Sequence, residues 1–264
     1  MAAIEPMKQF MIQKIVDGPK LRMHGVRLVD LSITNSVLYM LIAATLITVF
    51  FLVASRRAVV PGRMQALAEM LYDLVDNSMT GAMIGDKGRG FLPFIFTLFS
   101  MIAVMNIVGL FPTTFTVTSQ LAVTVTLALL TFLTVVIIGF LRNGLGFFKL
   151  FVPSGVSIFM AIFLAPIEFI SFMVRPVTLS MRLFGNMIGG HVVMYMFASF
   201  VVGLGLFASH GGLASLGFAG SALSMFMVVA LMALEFIVAF LQAFVFAALA
   251  CTYINDVVNL GHGH

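Results

Sequence analysis

The stretch PVTLSMRLFGNMIGGHVVMYMF, residues 176–197, places Arg182 inside a segment that is otherwise apolar enough to lie in a membrane. A fixed positive charge near the centre of a bilayer costs about 3 kcal/mol on scales derived from helix insertion, and more by other estimates. The surrounding apolar run covers residues 152–209, which is too long for one upright helix at about 1.5 Å per residue. We therefore expect this segment to be kinked at Pro166 or Pro176, strongly tilted, or folded back within the protein.

The whole chain has the composition of an integral membrane protein. Of its 264 residues, 61% are hydrophobic and 9% are charged, and no region is large enough for a separate soluble domain. The net charge of +4 comes mainly from short basic clusters beside apolar runs, a pattern typical of orientation signals rather than of a nucleic-acid patch. The single cysteine, Cys251, excludes an internal disulfide. We expect several membrane spans and no nucleic-acid partner.

The apolar pattern predicts an all-α polytopic membrane protein, with an N-terminal segment at residues 1–33 and a single membrane domain at residues 34–264. The predicted elements are a first span, a surface helix, a helical hairpin and two long helices, at residues 37–54, 63–84, 91–141, 154–209 and 222–256. Basic residues follow the first span but others precede it, so the positive-inside tendency leaves the orientation open.

The predicted surface helix is amphipathic and acidic. Leucine and methionine at helical spacing form one side of residues 63–84, whereas Glu69, Asp73 and Asp76 lie towards the other side. Helices at membrane surfaces usually carry lysine and arginine on the polar face. We therefore expect this helix to be half immersed and to offer its polar face to a partner protein.

Polar and small residues of the arginine-bearing segment share one helical face. At about 100° per residue, seven positions lie within about 40° of one line: Glu168, Ser171, Arg175, Thr178, Arg182, Asn186 and Gly189. A polar stripe inside a membrane must meet water or another polar helix. Gly185 and Gly189 allow that other helix to approach closely.

The last helix carries a second polar line beside a row of small residues. The polar positions are Glu235, Gln242, Tyr253 and Asp256, and the small ones are Ala239, Ala243 and Ala247. The chain has no histidine motif for a catalytic metal and no serine in a strained elbow. These residues predict two helices that pack together, and neither an enzyme nor a metal site.

The charged residues of the two long helices differ in proton chemistry. Arginine keeps its proton even when buried, so Arg182 is a permanent positive charge that attracts an ionised carboxylate and repels a passing proton. Histidine and glutamate, as at His191 and Glu235, exchange protons when their environment tunes the pKa. The chain therefore combines a barrier to protons with a candidate relay. A structural ion pair between Arg182 and Glu168 is the alternative.

Two motifs, RLFGNM at residues 182–187 and LQAFVF at residues 241–246, together resemble subunit a of the rotary F-type ATP synthases. The resemblance in organisation extends over residues 37–253, and the order of His191 and Glu235 resembles the alphaproteobacterial and mitochondrial branch. It implies one N-terminal span, a surface helix, a hairpin, and two long helices that lie steeply tilted along a ring of c subunits.

The resemblance implies specific roles at the arginine motif. Arg182 matches the arginine that faces a carboxylate of the c ring and separates two aqueous half-channels. Asn186 and Gln242 match polar neighbours that help hold that site. Glu168 matches a glutamate of the half-channel on the ATP-producing side.

The resemblance also implies a proton route and a set of partners. His191 and Glu235 match a neighbouring pair that lines the entry half-channel, from which a proton neutralises a c-ring carboxylate before it leaves near Glu168. The implied partners are the c ring, b-type subunits of the peripheral stalk, the remainder of the complex and membrane lipid. No cofactor and no catalysis by this chain itself are implied. We expect a bacterial plasma membrane rather than a mitochondrial one.

Two other classes of membrane protein stay open at this point. A secondary transporter with a substrate-binding arginine would need two related halves, and the first hairpin has no counterpart of the arginine stripe. A structural membrane adaptor would occur without any c subunit. The choice between H⁺ and Na⁺ depends mostly on ligands of the c ring.

Overall fold

The structure is a computed structural model that describes residues 11–16, 20–23, 26–30, 32–55, 62–111, 114–152, 158–209 and 216–259. Among these residues, five helical segments are long and apolar enough to cross a membrane: Asn35–Ala54, Gly88–Gly109, Leu121–Asn143, Phe159–Ala208 and Gly217–Val258. The chain is therefore an all-α polytopic membrane protein, as the apolar pattern predicted.

The helices follow one another with short connections. In chain order they are α1 (Asn35–Ala54), α2 (Arg63–Val75), α3 (Leu92–Gly109), α4 (Leu121–Asn143), α5 (Ile158–Ala208) and α6 (Leu216–Val258). Short 3₁₀ turns cover Gly85–Phe91, Val117–Ser119 and Gly144–Phe151. The helix α5 is continuous over 51 residues with both prolines inside it, so the described structure excludes a fold-back of this segment.

The N-terminal segment forms short strands that the sequence analysis did not predict. Strand β1 (Lys14–Val16) pairs with β4 (Ile33–Thr34), and β2 (Lys20–Met23) pairs with β3 (Val26–Asp30), both antiparallel. Asn35 joins the first ladder to α1, because its Oδ1 accepts from the Ser36 and Gln13 backbone N–H at 2.9 and 3.3 Å.

The predicted surface helix changes its winding part of the way along. It is α-helical over Arg63–Val75 and continues as one π-helical turn over Asp76–Gly81. The Thr80 hydroxyl donates to the Val75 and Asp76 carbonyl oxygens, both at 3.1 Å, and so satisfies acceptors of the wider turn. A Cβ at Gly81 would lie 2.9 Å from the Asp76 carbonyl oxygen, so this turn requires glycine there.

The contacts divide the chain into two compact units, each made of separate stretches. The first unit consists of Met1–Ala44, Val104–Gln120 and Phe184–Leu241, and the second of Thr45–Ala103, Leu121–Leu183 and Gln242–His264. The single membrane domain expected at residues 34–264 stays a prediction.

In the first unit, the start of α6 packs against the end of α5. A Cβ at Gly217 would lie 2.8 Å from the Leu204 carbonyl oxygen and 3.2 Å from the Ala208 Cβ, so glycine permits this approach. The Ser221 hydroxyl also donates to the Val201 carbonyl oxygen at 2.9 Å. These contacts explain why α6 begins at Leu216, six residues before the start predicted at residue 222. Gly217 and Ser221 therefore lie in a close contact between two helices.

In the second unit, α4 and the end of α6 enclose an aromatic cluster. A Cβ at Gly139 would lie 2.5 Å from the Phe147 ring and 2.8 Å from Val257, so only glycine fits between them. The Phe147 ring centroid lies 6.0 Å from that of Phe172. The Asn143 amide donates to the Val257 carbonyl oxygen at 2.7 Å, which holds the end of α4 beside α6.

Candidate functional site

In the second unit, the intramembrane arginine Arg182 is exposed on α5 and makes no hydrogen bond or ion pair with any residue that the structure describes. Its helical neighbours Val177, Thr178 and Met181 are exposed as well. An unneutralised charge on an exposed apolar face is unfavourable in lipid. The part of the chain that the structure describes therefore leaves the charge of Arg182 available to a group outside this chain.

Arg175, one of the arginines considered in the sequence, makes an intrachain ion pair in this unit. Its Nη1 donates to the Asp256 Oδ2 at 2.8 Å, whereas its Nη2 lies 4.0 Å from the Glu168 Oε1. The guanidinium also lies over the rings of Tyr253 and Phe172, 4.7 and 5.4 Å from their centroids. Arg175 thus fixes α5 to the end of α6, and the structural ion pair considered for Arg182 is made by Arg175 instead.

The remaining predicted residues of this unit differ in exposure. Glu168 keeps 39% of its side chain exposed on α5. Gln242, in contrast, is buried on α6 beside Ala243 and makes no hydrogen bond with a described residue. The amide of Gln242 is not among the fully buried polar groups of the described residues, so a group outside the chain can still reach it.

In the first unit, His191 of α5 and Glu235 of α6 form a buried pair. The His191 Nε2 lies 3.8 Å from the Glu235 Oε1, and the two side chains are only 4% and 8% exposed. The expected proximity of these residues is therefore observed. Gly190 makes room for the acid, because a Cβ there would lie 2.8 Å from the Glu235 Cδ.

The turn between α3 and α4 supplies a third member of this cluster, which the sequence analysis missed. The Thr116 hydroxyl lies 3.1 Å from the His191 Nε2 and 3.0 Å from the Gly109 carbonyl oxygen. Thr116 is itself buried. The only sequence signal was that several threonines interrupt the apolar runs of the hairpin.

Among the residues that the structure describes, buried polar oxygens without a hydrogen-bond partner lie in the first unit. Three of them are fully buried: Asn106 Oδ1, Thr118 Oγ1 and Glu235 Oε1. The Asn106 amide donates to the Ala239 carbonyl oxygen at 3.1 Å, so its oxygen is fixed while it lacks a described donor. Such atoms cost about 1–3 kcal/mol each unless protons or water satisfy them. Asn186, also predicted as a site residue, is half-buried on α5 in this unit.

A groove in the second unit separates the end of α1 from α2 and α3. Its volume is about 860 Å³, and its polar lining comes from the acidic face of α2, including Gln65, Glu69 and Asp73. The Gln65 amide donates to the Glu69 Oε1 at 2.8 Å. The polar face of α2, predicted to meet a partner protein, thus lines an open groove between helices. No group of three or more His, Cys, Asp or Glu side chains that could hold a metal occurs within the described ranges.

A family model described as ATP synthase A chain matches residues 37–255. The chain belongs to the ATP synthase A chain family. Its similarity to curated members of the ATP synthase A chain family extends over nearly the whole length. It is 46% identical to ATP synthase subunit a of Mesorhizobium japonicum over 260 residues, which cover 98% of both chains.

Two further relatives support the same branch of the ATP synthase A chain family. The chain is 47% identical to ATP synthase subunit a of Azorhizobium caulinodans over 98% of its own length and 99% of the relative. It is 48% identical to that of Nitrobacter hamburgensis over 88% of its length and 91% of the relative. These relatives are alphaproteobacterial, as the order of His191 and Glu235 implied. The resemblance to subunit a is therefore confirmed.

Proposed function

We propose that this chain is the proton-channel stator subunit of a rotary ATP synthase, in which it provides two offset half-channels and the arginine that separates them. In this proposal the chain moves ions and catalyses no reaction itself. Its relatives are named ATP synthase subunit a, which supports a membrane subunit of that complex. We place it in the plasma membrane of a bacterium, because the relatives compared above are bacterial.

The observation that carries the proposal is the exposed charge of Arg182. The free energy of placing this charge in lipid, about 3 kcal/mol or more, has to be offset by an anion, and no described residue of the chain pairs with it. A carboxylate on a neighbouring subunit is the simplest anion available in a membrane. We propose that the carboxylates of a c-subunit ring pass Arg182 one after another.

The flanking part of α5 has the surface that such a passing ring requires. Gly185 and Gly189 are exposed, and a Cβ added at either position would meet no atom of the chain within 4 Å. Small residues allow helices in a membrane to approach closely. These glycines therefore support a moving helix contact on the helical face predicted for the arginine stripe.

The buried pair His191 and Glu235 is the proposed entry relay. Both side chains exchange protons, and the buried oxygens of Asn106 on α3 and Thr118 in the α3–α4 connection, in the same unit, favour a chain of water or protons. A proton from this pair would neutralise a c-ring carboxylate. The neutral carboxylic acid can then move through lipid at far lower cost than the ion.

Glu168 is the proposed exit group. Its carboxylate is partly exposed, and Arg175 lies 4.0 Å away, so its charge is only partly compensated. When a protonated c-ring carboxyl reaches Arg182, the guanidinium favours the ionised form, and the released proton leaves towards Glu168. Moving a unit charge across the membrane releases about 2.3 kcal/mol per 100 mV, so a proton that leaked past Arg182 would release this free energy without turning the ring.

Asn186 and Gln242 are the proposed polar neighbours that position Arg182 during this exchange. The amide of Gln242 supports such a role, because it makes no hydrogen bond with a described residue and can bond to a passing carboxyl group or to the guanidinium. The acidic groove beside α2 is the proposed contact for a b-type subunit of the peripheral stalk, since its carboxylates complement a basic helix. Lipid covers the remaining apolar faces.

The proposal is tested by proton uptake driven by ATP in inverted membrane vesicles. We expect Arg182→Ala and Arg182→Lys to abolish uptake while blotting confirms equal assembly of the complex, because lysine lacks the fixed planar charge of arginine. Arg63→Ala is the matched control, since Arg63 is also exposed but begins α2 outside the spans. Uptake at the wild-type rate with Arg182→Ala would refute the proposed barrier.

A further inference from the structure

The hydroxyl of Thr116 contacts two groups with opposite hydrogen-bonding needs. Gly109 is the last residue of α3, and a carbonyl at a helix end lacks the amide partner that it would have inside the helix. Its oxygen lies 3.0 Å from the Thr116 Oγ1, and no other described donor bonds to it. The hydroxyl hydrogen therefore points to the Gly109 carbonyl, which can only accept.

A hydroxyl carries a single hydrogen, so its remaining contact must use an oxygen lone pair. That contact is the His191 Nε2, 3.1 Å from the Thr116 Oγ1. A lone pair accepts only from a ring nitrogen that bears a hydrogen, and the two nitrogens of a neutral imidazole differ in this respect. We propose that Thr116 is a positioning residue that holds neutral His191 in the tautomer with the hydrogen on Nε2.

The backbone prevents Thr116 from drifting away from this position. A Cβ at Gly109 would lie 2.8 Å from the Thr116 Cγ2, so only glycine allows the threonine to pack this closely on the helix end. The Ser119 hydroxyl donates to the Thr116 carbonyl oxygen at 2.6 Å and fixes the same turn. The chain therefore holds the hydroxyl beside the imidazole from both sides.

The tautomer sets the direction of the relay, a step that rests on the proposed function. With Nε2 already protonated, His191 takes up a proton at Nδ1 and becomes an imidazolium. The Nε2–H bond then breaks, and an O–H bond forms at Glu235 Oε1, which lies 3.8 Å away and closes this distance on transfer. Glu235 becomes a neutral acid and the ring a neutral Nδ1–H form, in which the Thr116 oxygen has no ring hydrogen to accept. The resting tautomer is restored when Nε2 takes up a proton and Nδ1 releases one.

The tautomer of His191 is measured directly by ¹⁵N NMR of the complex in lipid, with ¹⁵N incorporated into its histidine side chains. The nitrogen that bears a hydrogen resonates far from the one that does not, and subtraction of the His191→Gln spectrum identifies the signal among the five histidines. We expect the Nε2–H form in the wild type and in Thr116→Ser, and a mixed or Nδ1–H signal in Thr116→Val. A wild-type Nδ1–H signal, or an unchanged signal in Thr116→Val, would overturn the proposal.

Proton uptake supplies the second readout. Thr116→Val should slow uptake about tenfold, the factor that corresponds to one hydrogen bond, and Thr116→Ser should restore it. Thr131→Val is the matched control, because Thr131 is equally buried but its hydroxyl donates within its own helix to Leu127 at 2.9 Å. If Arg182→Ala takes up protons normally while the tautomer of His191 is as expected, the proposed function fails and this inference stands. If Arg182→Ala abolishes uptake while His191 is in the Nδ1–H form, this inference alone is refuted.

Discussion

Replacing Gly190 with alanine tests whether the position of the Glu235 carboxylate controls proton entry. A Cβ at residue 190 would lie 2.5 Å from the Glu235 Oε1 and 2.8 Å from its Cδ, whereas ordinary contacts begin near 3.4 Å. The carboxyl group must therefore move by about 0.9 Å, and it can do so because it ends a flexible side chain. The fold should survive, since overpacking typically costs about 1–3 kcal/mol and alanine recovers up to about 1 kcal/mol of helix propensity.

The displacement should affect proton transfer far more than stability. A misplacement of about 1 Å in a reacting group can cost about a hundredfold in rate. We expect uptake of protons driven by ATP to fall about tenfold to a hundredfold in Gly190→Ala, with equal assembly shown by blotting. Gly203→Ala is the matched control, because Gly203 also lies within α5 and a Cβ there would meet nothing within 4 Å.

A second substitution tests the cause of the loss. Glu235→Asp shortens the side chain by one methylene and so withdraws the carboxyl group from the new Cβ. The double variant Gly190→Ala with Glu235→Asp should therefore pump faster than the product of the two single effects predicts. Normal uptake in Gly190→Ala, or a loss of the same size in Gly203→Ala, would show that the position of this carboxylate does not limit entry.

Two further predictions concern the second unit. Asp256→Asn removes the anion bonded to Arg175 and should lower the free energy of unfolding by about 1 kcal/mol, a value discounted for partial exposure. The thermal midpoint of the complex measures this loss. The control Asp73→Asn, in which the replaced carboxylate is exposed, should leave the midpoint unchanged. Ala68→Cys places a thiol in the acidic groove and should form a disulfide with a cysteine introduced at successive positions of a b-type subunit. Leu133→Cys, on the exposed face of α4, is the control and should form none. The absence of any disulfide to Ala68→Cys would contradict the proposed stalk contact.

Much of the fold follows from features that act locally in sequence. The spans were predictable because about 20 apolar residues have no stable alternative to a helix in lipid. Arg182 was noticeable for the same reason, since a charge within such a run requires a specific partner. The small row Ala239, Ala243 and Ala247 predicted a buried helix contact, and all three side chains are fully buried.

The contacts that the sequence could not predict join distant residues through irregular backbone. Thr116 lies 75 positions before His191, and its approach depends on a turn that no periodic pattern describes. Arg175 and Asp256 lie 81 positions apart on different helices, so no helical spacing indicates that they pair. The start of α6 was misplaced because glycine indicates a loop and close helix packing equally well, and only the neighbouring helix decides between them.

The two arginines of α5 show how one helix separates a structural charge from a functional one. Arg175 and Arg182 are seven residues apart, about two turns, and so share a face. Arg175 is bonded to Asp256 and enclosed by two aromatic rings, so its charge is used within the described chain. Arg182 has no such partner among the described residues.

This difference predicts how proton uptake should change when each arginine is replaced by lysine. At Arg175 the contact with Asp256 is a single N–H donated to one carboxylate oxygen, which an ammonium can reproduce, and an ammonium is also attracted to the faces of Tyr253 and Phe172. Lysine lacks the planar stacking of the guanidinium, so Arg175→Lys should lower stability but retain assembly and most proton uptake. At Arg182 a carboxylate must be bound, deprotonated and released repeatedly, which requires a charge that never gives up its proton. Lysine loses its proton readily in an apolar site, so the same conservative substitution should abolish uptake there. Equal tolerance at both positions would mean that α5 does not distinguish its two charges.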